Sequence, residues 1–301
     1  MTKLLWSILI GVIILIFCLG LYFFRINPQP FLERTFAWPI YLIRSSTSGL
    51  QSNPSTPPNE SEPFPTNLPT SVKPADAYTI ILVGDSMTDF LGGNADALRK
   101  QLKVHYCDEN CIPKGKVFGI FNLGFGSTNV LSLQDRIEKE SFYLGNQYQS
   151  ILSREFDLII IESFGNNPLA EFPLEEGLKK QDEALDKAVR TLHKNKPNAV
   201  IAFMATVAPI RNRYAEGAVV LSPEKRREWA DERAAYIKNH IKFAQEHNIP
   251  LINLYEKSLN NGEGNMDYIN GGDFIHPSVT GVDFISKEIA NWIYDNRVLP
   301  L

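Results

Sequence analysis

An acid stands three residues before a histidine in Asp273-Phe274-Ile275-His276. At that spacing the carboxylate can take one imidazole nitrogen while the other faces a nucleophile. Ser86 lies in Gly84-Asp85-Ser86-Met87-Thr88-Asp89, directly after an apolar run, so it falls in a strand-to-helix turn. A hydroxyl there can be presented to a substrate, and the N–H beside it can face a developing oxyanion near a helix N-terminus. Taken alone, Ser86 reads equally well as a helix cap. Gly124, in Asn122-Leu123-Gly124-Phe125-Gly126-Ser127, lets backbone approach a ligand closely or simply makes a turn. The run Glu162-Ser163-Phe164-Gly165-Asn166-Asn167-Pro168 brings side-chain amides that can donate to an oxyanion or form an asparagine turn. Of five histidines only His276 has such a setting. His193, His240 and His247 fall in charged helical stretches and read as surface residues, and His105 has no acid at fixed spacing.

Five short apolar runs can place these residues: 79–83, 117–122, 157–163, 199–205 and 250–255. Each is nearly continuous in its apolar character, as parallel strands covered on both faces require. Between and after them, 174–194, 223–247 and 278–295 have helical spacing, with Ser222-Pro223 as an N-cap followed by proline. The alternation predicts a doubly wound α/β domain, with active residues in loops at the carboxyl ends of the strands.

Residues 4–24, LLWSILIGVIILIFCLGLYFF, carry no charge and are long enough for a membrane-spanning helix. The run exceeds the apolar core of a secretory signal and no small-x-small cleavage site follows, so an uncleaved anchor is expected. Cys18 follows Ile16 and Phe17 and reads as a buried apolar cysteine. Residues 25–75 form a linker, rich in Pro, Ser and Thr over 45–74, and extended in consequence. Arg25, Arg34 and Arg44 would by count hold the C-terminal side in the cytoplasm. A long folded domain translocates regardless of charge, and Cys107 and Cys111 can close a disulfide loop, so an extracytoplasmic domain is expected. The same pair as a zinc half-site lacks a second pair at zinc spacing. A net charge of -4 offers no basic surface to a nucleic acid.

Together the four segments, in this order and each at a predicted strand end, resemble the SGNH hydrolases, also called the GDSL esterase/lipase family, over roughly residues 78–296. The resemblance implies a three-layer αβα sandwich on a five-stranded parallel sheet, flavodoxin-like, as a hydrolase domain spanning 76–301. It implies Ser86 as nucleophile, His276 as base and Asp273 as the residue that orients the base. It implies an oxyanion hole from the N–H groups of Ser86 and Gly124 and the amide of Asn167, with no metal or organic cofactor. The first block reads GDSM for GDSL, and the third reads GNNP where Gly-x-Asn-Asp is usual, which leaves Asn166 as the alternative donor. Gly-x-Ser-x-Gly, the α/β-hydrolase elbow, is absent because Thr88 holds its last place. The implied reaction is hydrolysis of an acyl ester on a small molecule, an envelope glycan or a lipid. Transfer of the acyl group to a sugar hydroxyl uses the same residues, and an inactive surface binding module is the remaining alternative. Arg211 and Arg213 either meet an anionic substrate or are solvated loop residues.

Overall fold

The computed structural model describes residues 64–106 and 116–301. The apolar run 4–24, most of the linker, and Cys107 and Cys111 lie outside the described residues. Among the described residues no helix is long and apolar enough to cross a membrane.

Five strands make the central sheet: β1 (Ala77–Gly84), β2 (Val117–Gly124), β3 (Leu158–Glu162), β4 (Val200–Ala205) and β5 (Leu251–Asn253). Their order is β2-β1-β3-β4-β5, and every pairing is parallel. This is the flavodoxin-like order, whose direction reverses between β1 and β3, where such sheets open a crevice at the strands' carboxyl ends. Ser86 follows β1 and Asn167 follows β3, so both stand at that switch point.

The helices that flank the sheet or carry the site are α1 (Ser86–Asp89), α2 (Asp96–Tyr106), α3 (Leu133–Glu138), α4 (Leu174–Asn195), α5 (Pro223–Glu246) and α6 (Val279–Asp295). Alternation along β1 divides the core in two. Ile80 and Leu82 pack with Leu98 and Leu102 of α2 and Ile285 and Ile289 of α6. Ile81 and Val83 face the other side, against Leu133 of α3, Leu185 and Val189 of α4 and Phe243 of α5. Ser222 caps α5 by accepting the Lys225 N–H, and Ser278 caps α6 by accepting the Gly281 N–H at 3.0 Å.

The linker expected to run to residue 75 is shorter than its composition suggests. Phe64 and Leu68 pack against the α4–α5 side and Val72 against the α2–α6 side, and the Val72 N–H donates to the Val298 carbonyl. Three apolar residues at intervals of four are enough to fasten a proline-rich segment to the domain surface. Elements left unassigned by the sequence pattern include α2, α3 and an antiparallel hairpin of Ser141–Tyr143 with Asn146–Tyr148.

Leu82 is wholly buried at the middle of the sheet. Leu82→Ala should destabilise the domain by about 2–5 kcal/mol in a urea titration. A loss below about 1 kcal/mol would contradict its placement in a close-packed core.

Candidate active site

Ser86 opens α1, and Asp85 before it supplies the cap: its Oδ1 accepts the Met87 N–H at 2.8 Å. His276 Nε2 lies 3.0 Å from Ser86 Oγ, and His276 Nδ1 lies 2.8 Å from Asp273 Oδ2. The three residues named from spacing therefore form one continuous hydrogen-bonded chain. Asp273 also accepts the Ile275 and His276 N–H groups at 2.9 and 3.0 Å, so the turn itself aims the carboxylate. Burial pushes the Asp273 carboxyl up, but the His276 ring and those two N–H groups outweigh it and hold it below its ordinary value. The other face of the imidazole stacks on Phe90, at 4.2 Å between centroids and 5° between planes. Phe90 was missed in the sequence, although its position four residues after Ser86 puts it on the same helical face.

The residues expected to donate to an oxyanion are less simply placed. Among the described residues the Ser86 N–H has no acceptor. Asn167 Nδ2 donates to Asp85 Oδ2 at 3.0 Å and, as an NH₂ group, keeps a second hydrogen. Asn166 is engaged elsewhere, its Oδ1 accepting the Tyr214 hydroxyl at 2.9 Å. The turn that carries both asparagines starts at Phe164, a buried aromatic residue held at φ 53°. Gly124 does not face Ser86: its N–H donates to Asn122 Oδ1 at 2.9 Å. A Cβ at Gly124 would lie 2.2 Å from the Asp89 nitrogen, so this glycine is needed for α1 to pack on β2. Gly126 is the glycine beside Ser86, where a Cβ would come 3.6 Å from Ser86 Cβ. Ser127 follows at φ 58°, and its N–H has no acceptor among the described residues. The reason for the shift is register. Gly124 pairs with Gly84 as the last rung of the ladder, so the loop reaches Ser86 only after it.

Beneath the turn lies a buried charged layer that the sequence pattern did not reveal. Glu162 Oε2 accepts the Asp85 N–H at 3.2 Å, and its Oε1 accepts the Ser163 hydroxyl at 2.6 Å. Burial, then the Asp85 charge, raise the Glu162 carboxyl well above its usual range. Asp85 is raised by burial too, against hydrogen bonds from Met87 and Asn167. Arg136 donates through Nη1 to the Gly84 and Leu123 carbonyls at 2.9 and 3.1 Å, tying the ends of β1 and β2 together. Burial pushes its guanidinium down to about 10, against the attraction of Asp85 and Glu162.

The remaining candidates do not join the Ser86–His276–Asp273 chain. His240, expected at the surface, is wholly buried against Phe203, where desolvation pushes it down to about 3. It is on the inward face of α5, which the surrounding charges concealed. His105 meets Asn291 Oδ1 at 2.8 Å on the α2–α6 side. Arg211 pairs with Asp231 at 2.6 Å and Arg213 with Glu216 at 2.6 Å, so both loop arginines are neutralised within the chain.

The profile of the GDSL-like lipase/acylhydrolase family matches residues 82–284, more than half of the chain, and the protein belongs to that family. It is accordingly an ester-hydrolysing enzyme of the GDSL/SGNH type, as the resemblance of its four blocks implied. Among solved structures it is similar in fold to a lipase/acylhydrolase from Enterococcus faecalis (16% identity, TM-score 0.53), which covers 74% of this chain and 98% of its own. It is also similar to a candidate GDSL-like lipase from Parabacteroides merdae (16% identity, TM-score 0.52), covering 76% of this chain and 99% of its own. No curated protein matches.

Glu162 gives this site a measurable signature. Its folded-state carboxyl lies above the ordinary value of 4.5, so the folded state keeps the proton longer than the unfolded chain does. Stability present at low pH is then lost as pH rises past that value. As pH rises above about 5 the wild type should lose stability relative to Glu162→Gln in denaturant titrations. A difference that does not change with pH would contradict the assignment.

Proposed function

We propose that the protein is a serine esterase that forms an acyl-enzyme on Ser86. The observation that carries this reading is the unbroken chain from Ser86 Oγ to His276 Nε2 and from His276 Nδ1 to Asp273 Oδ2. His276 takes the Ser86 proton as Oγ attacks the ester carbonyl, while Asp273 keeps the imidazole in the tautomer that leaves Nε2 free to accept. The oxyanion forms beside the Ser86 N–H, the second hydrogen of Asn167 Nδ2 and the Ser127 N–H. His276 then protonates the departing alcohol, and water, activated by the same imidazole, releases the acid. A sugar hydroxyl in place of water would give the acyltransferase reaction from the same intermediate.

Residues 4–24 we read as a membrane anchor, with the linker holding the catalytic domain outside the cytoplasm near envelope esters. The full chain should sediment with membranes through an alkaline carbonate wash and become soluble when residues 1–24 are removed. A full chain released by that wash would contradict the anchor.

Ser86→Ala should reduce kcat/KM on a short aryl acetate by at least about a thousandfold, the cost of losing a nucleophile that acts as a unit with its base. Undiminished turnover by the folded variant would sink the proposal. With an acetylated glycan donor and a second glycan as acceptor, acid release exceeding transfer supports the esterase, and the reverse supports the transferase.

A further inference from the structure

We infer that Tyr143 sets the size of the acyl group, closing one side of Ser86 so that an acetyl group is accepted and longer chains are excluded. This rests on the esterase reading above and adds the acyl class of its substrate. Successive residues of a helix are about 100° apart, so Asp89 and Phe90 flank Ser86 at about 60° to one side and about 40° to the other. Phe90 carries His276. The alcohol must leave on that side, since His276 protonates it. The acyl substituent therefore extends toward Asp89.

Tyr143 stands there. Its hydroxyl accepts the Gly126 N–H at 2.9 Å and donates to Asp89 Oδ2 at 2.7 Å. A carbon at the Cβ position of Gly126 would sit 2.9 Å from the Tyr143 oxygen and 3.6 Å from Ser86 Cβ. The Tyr143 oxygen therefore lies no more than about 6.5 Å from Ser86 Cβ, too close for an alkyl chain to pass between them at ordinary contact distances. The wall is also stiff. The Tyr143 ring stacks on Phe125 at 4.7 Å and 17°, and the Arg136 guanidinium lies 4.5 Å from the Phe125 centroid. The hairpin pairs Tyr143 with Asn146 and Ser141 with Tyr148, and the Tyr148 ring also meets Phe125 at 4.9 Å. Burial and the Asp89 hydrogen bond push the phenol up to about 12, so it remains a protonated donor. A longer acyl chain could enter only by breaking both hydrogen bonds and displacing the ring from its stack.

The test is kcat/KM on nitrophenyl acetate, butyrate and hexanoate. Wild type should favour acetate over hexanoate by at least about tenfold, and Tyr143→Ala should shrink that ratio by at least about tenfold, the scale of a pocket's methylene discrimination. Tyr143→Phe, which keeps the ring but removes the oxygen and both its hydrogen bonds, should shrink the ratio by less than Tyr143→Ala does. A wild type that hydrolyses hexanoate as readily as acetate overturns the inference without any variant, which covers the case of Tyr143→Ala failing to fold. A folded Tyr143→Ala with the wild-type ratio overturns it as well. An active Ser86→Ala would instead overturn the esterase reading itself, so the two failures are distinguishable.

Discussion

The buried Asp85 carboxylate joins the parts of the site that come from different strands. One oxygen caps α1 through the Met87 N–H and so sets the direction in which Ser86 leaves β1. The other holds the Asn167 amide, which arrives from the end of β3. An unpaired buried carboxylate would be very unfavourable, so the group persists because both of its oxygens are hydrogen-bonded. Each partner therefore constrains the others: moving Asn167 would leave Asp85 short of a donor, and releasing Asp85 would free the turn that presents Ser86.

Around that tie the sheet does the coarse positioning. The reversal of strand order between β1 and β3 opens the crevice, and parallel pairing brings the carboxyl ends of β1, β2 and β3 to one edge. Arg136 holds two of those ends by their carbonyls, and Gly124 lets α1 settle against β2. His276 comes from the far end of the chain, just ahead of the Ser278 cap of α6, and Phe90 fixes the plane of its ring.

What could be read in the sequence was what depends on local spacing. The strand runs are apolar throughout because both faces are covered, and Asp273 reaches His276 within a single turn. Phe90 was equally readable from its distance to Ser86. The choice between Gly124 and Gly126 was not, because it depends on where the β1–β2 ladder ends, and register is a relation between segments far apart in the chain. Glu162, Arg136 and Tyr143 escaped notice for the same reason: charged and phenolic side chains look solvent-facing until the partners that satisfy them are known. His240 shows the converse, a histidine among charges that turns inward on a long helix. The linker's apolar triplet was hidden by the composition around it.

The central claim is that Ser86 carries the acyl group during turnover. The direct measurement is mass spectrometry of the protein quenched in acid during hydrolysis of an aryl acetate, with peptide mapping of any adduct. The account predicts one acetyl group, located on Ser86 and absent from His276→Ala treated in the same way. An adduct on another residue, or active enzyme that never carries one and leaves Ser86 unlabelled by a fluorophosphonate, would contradict it.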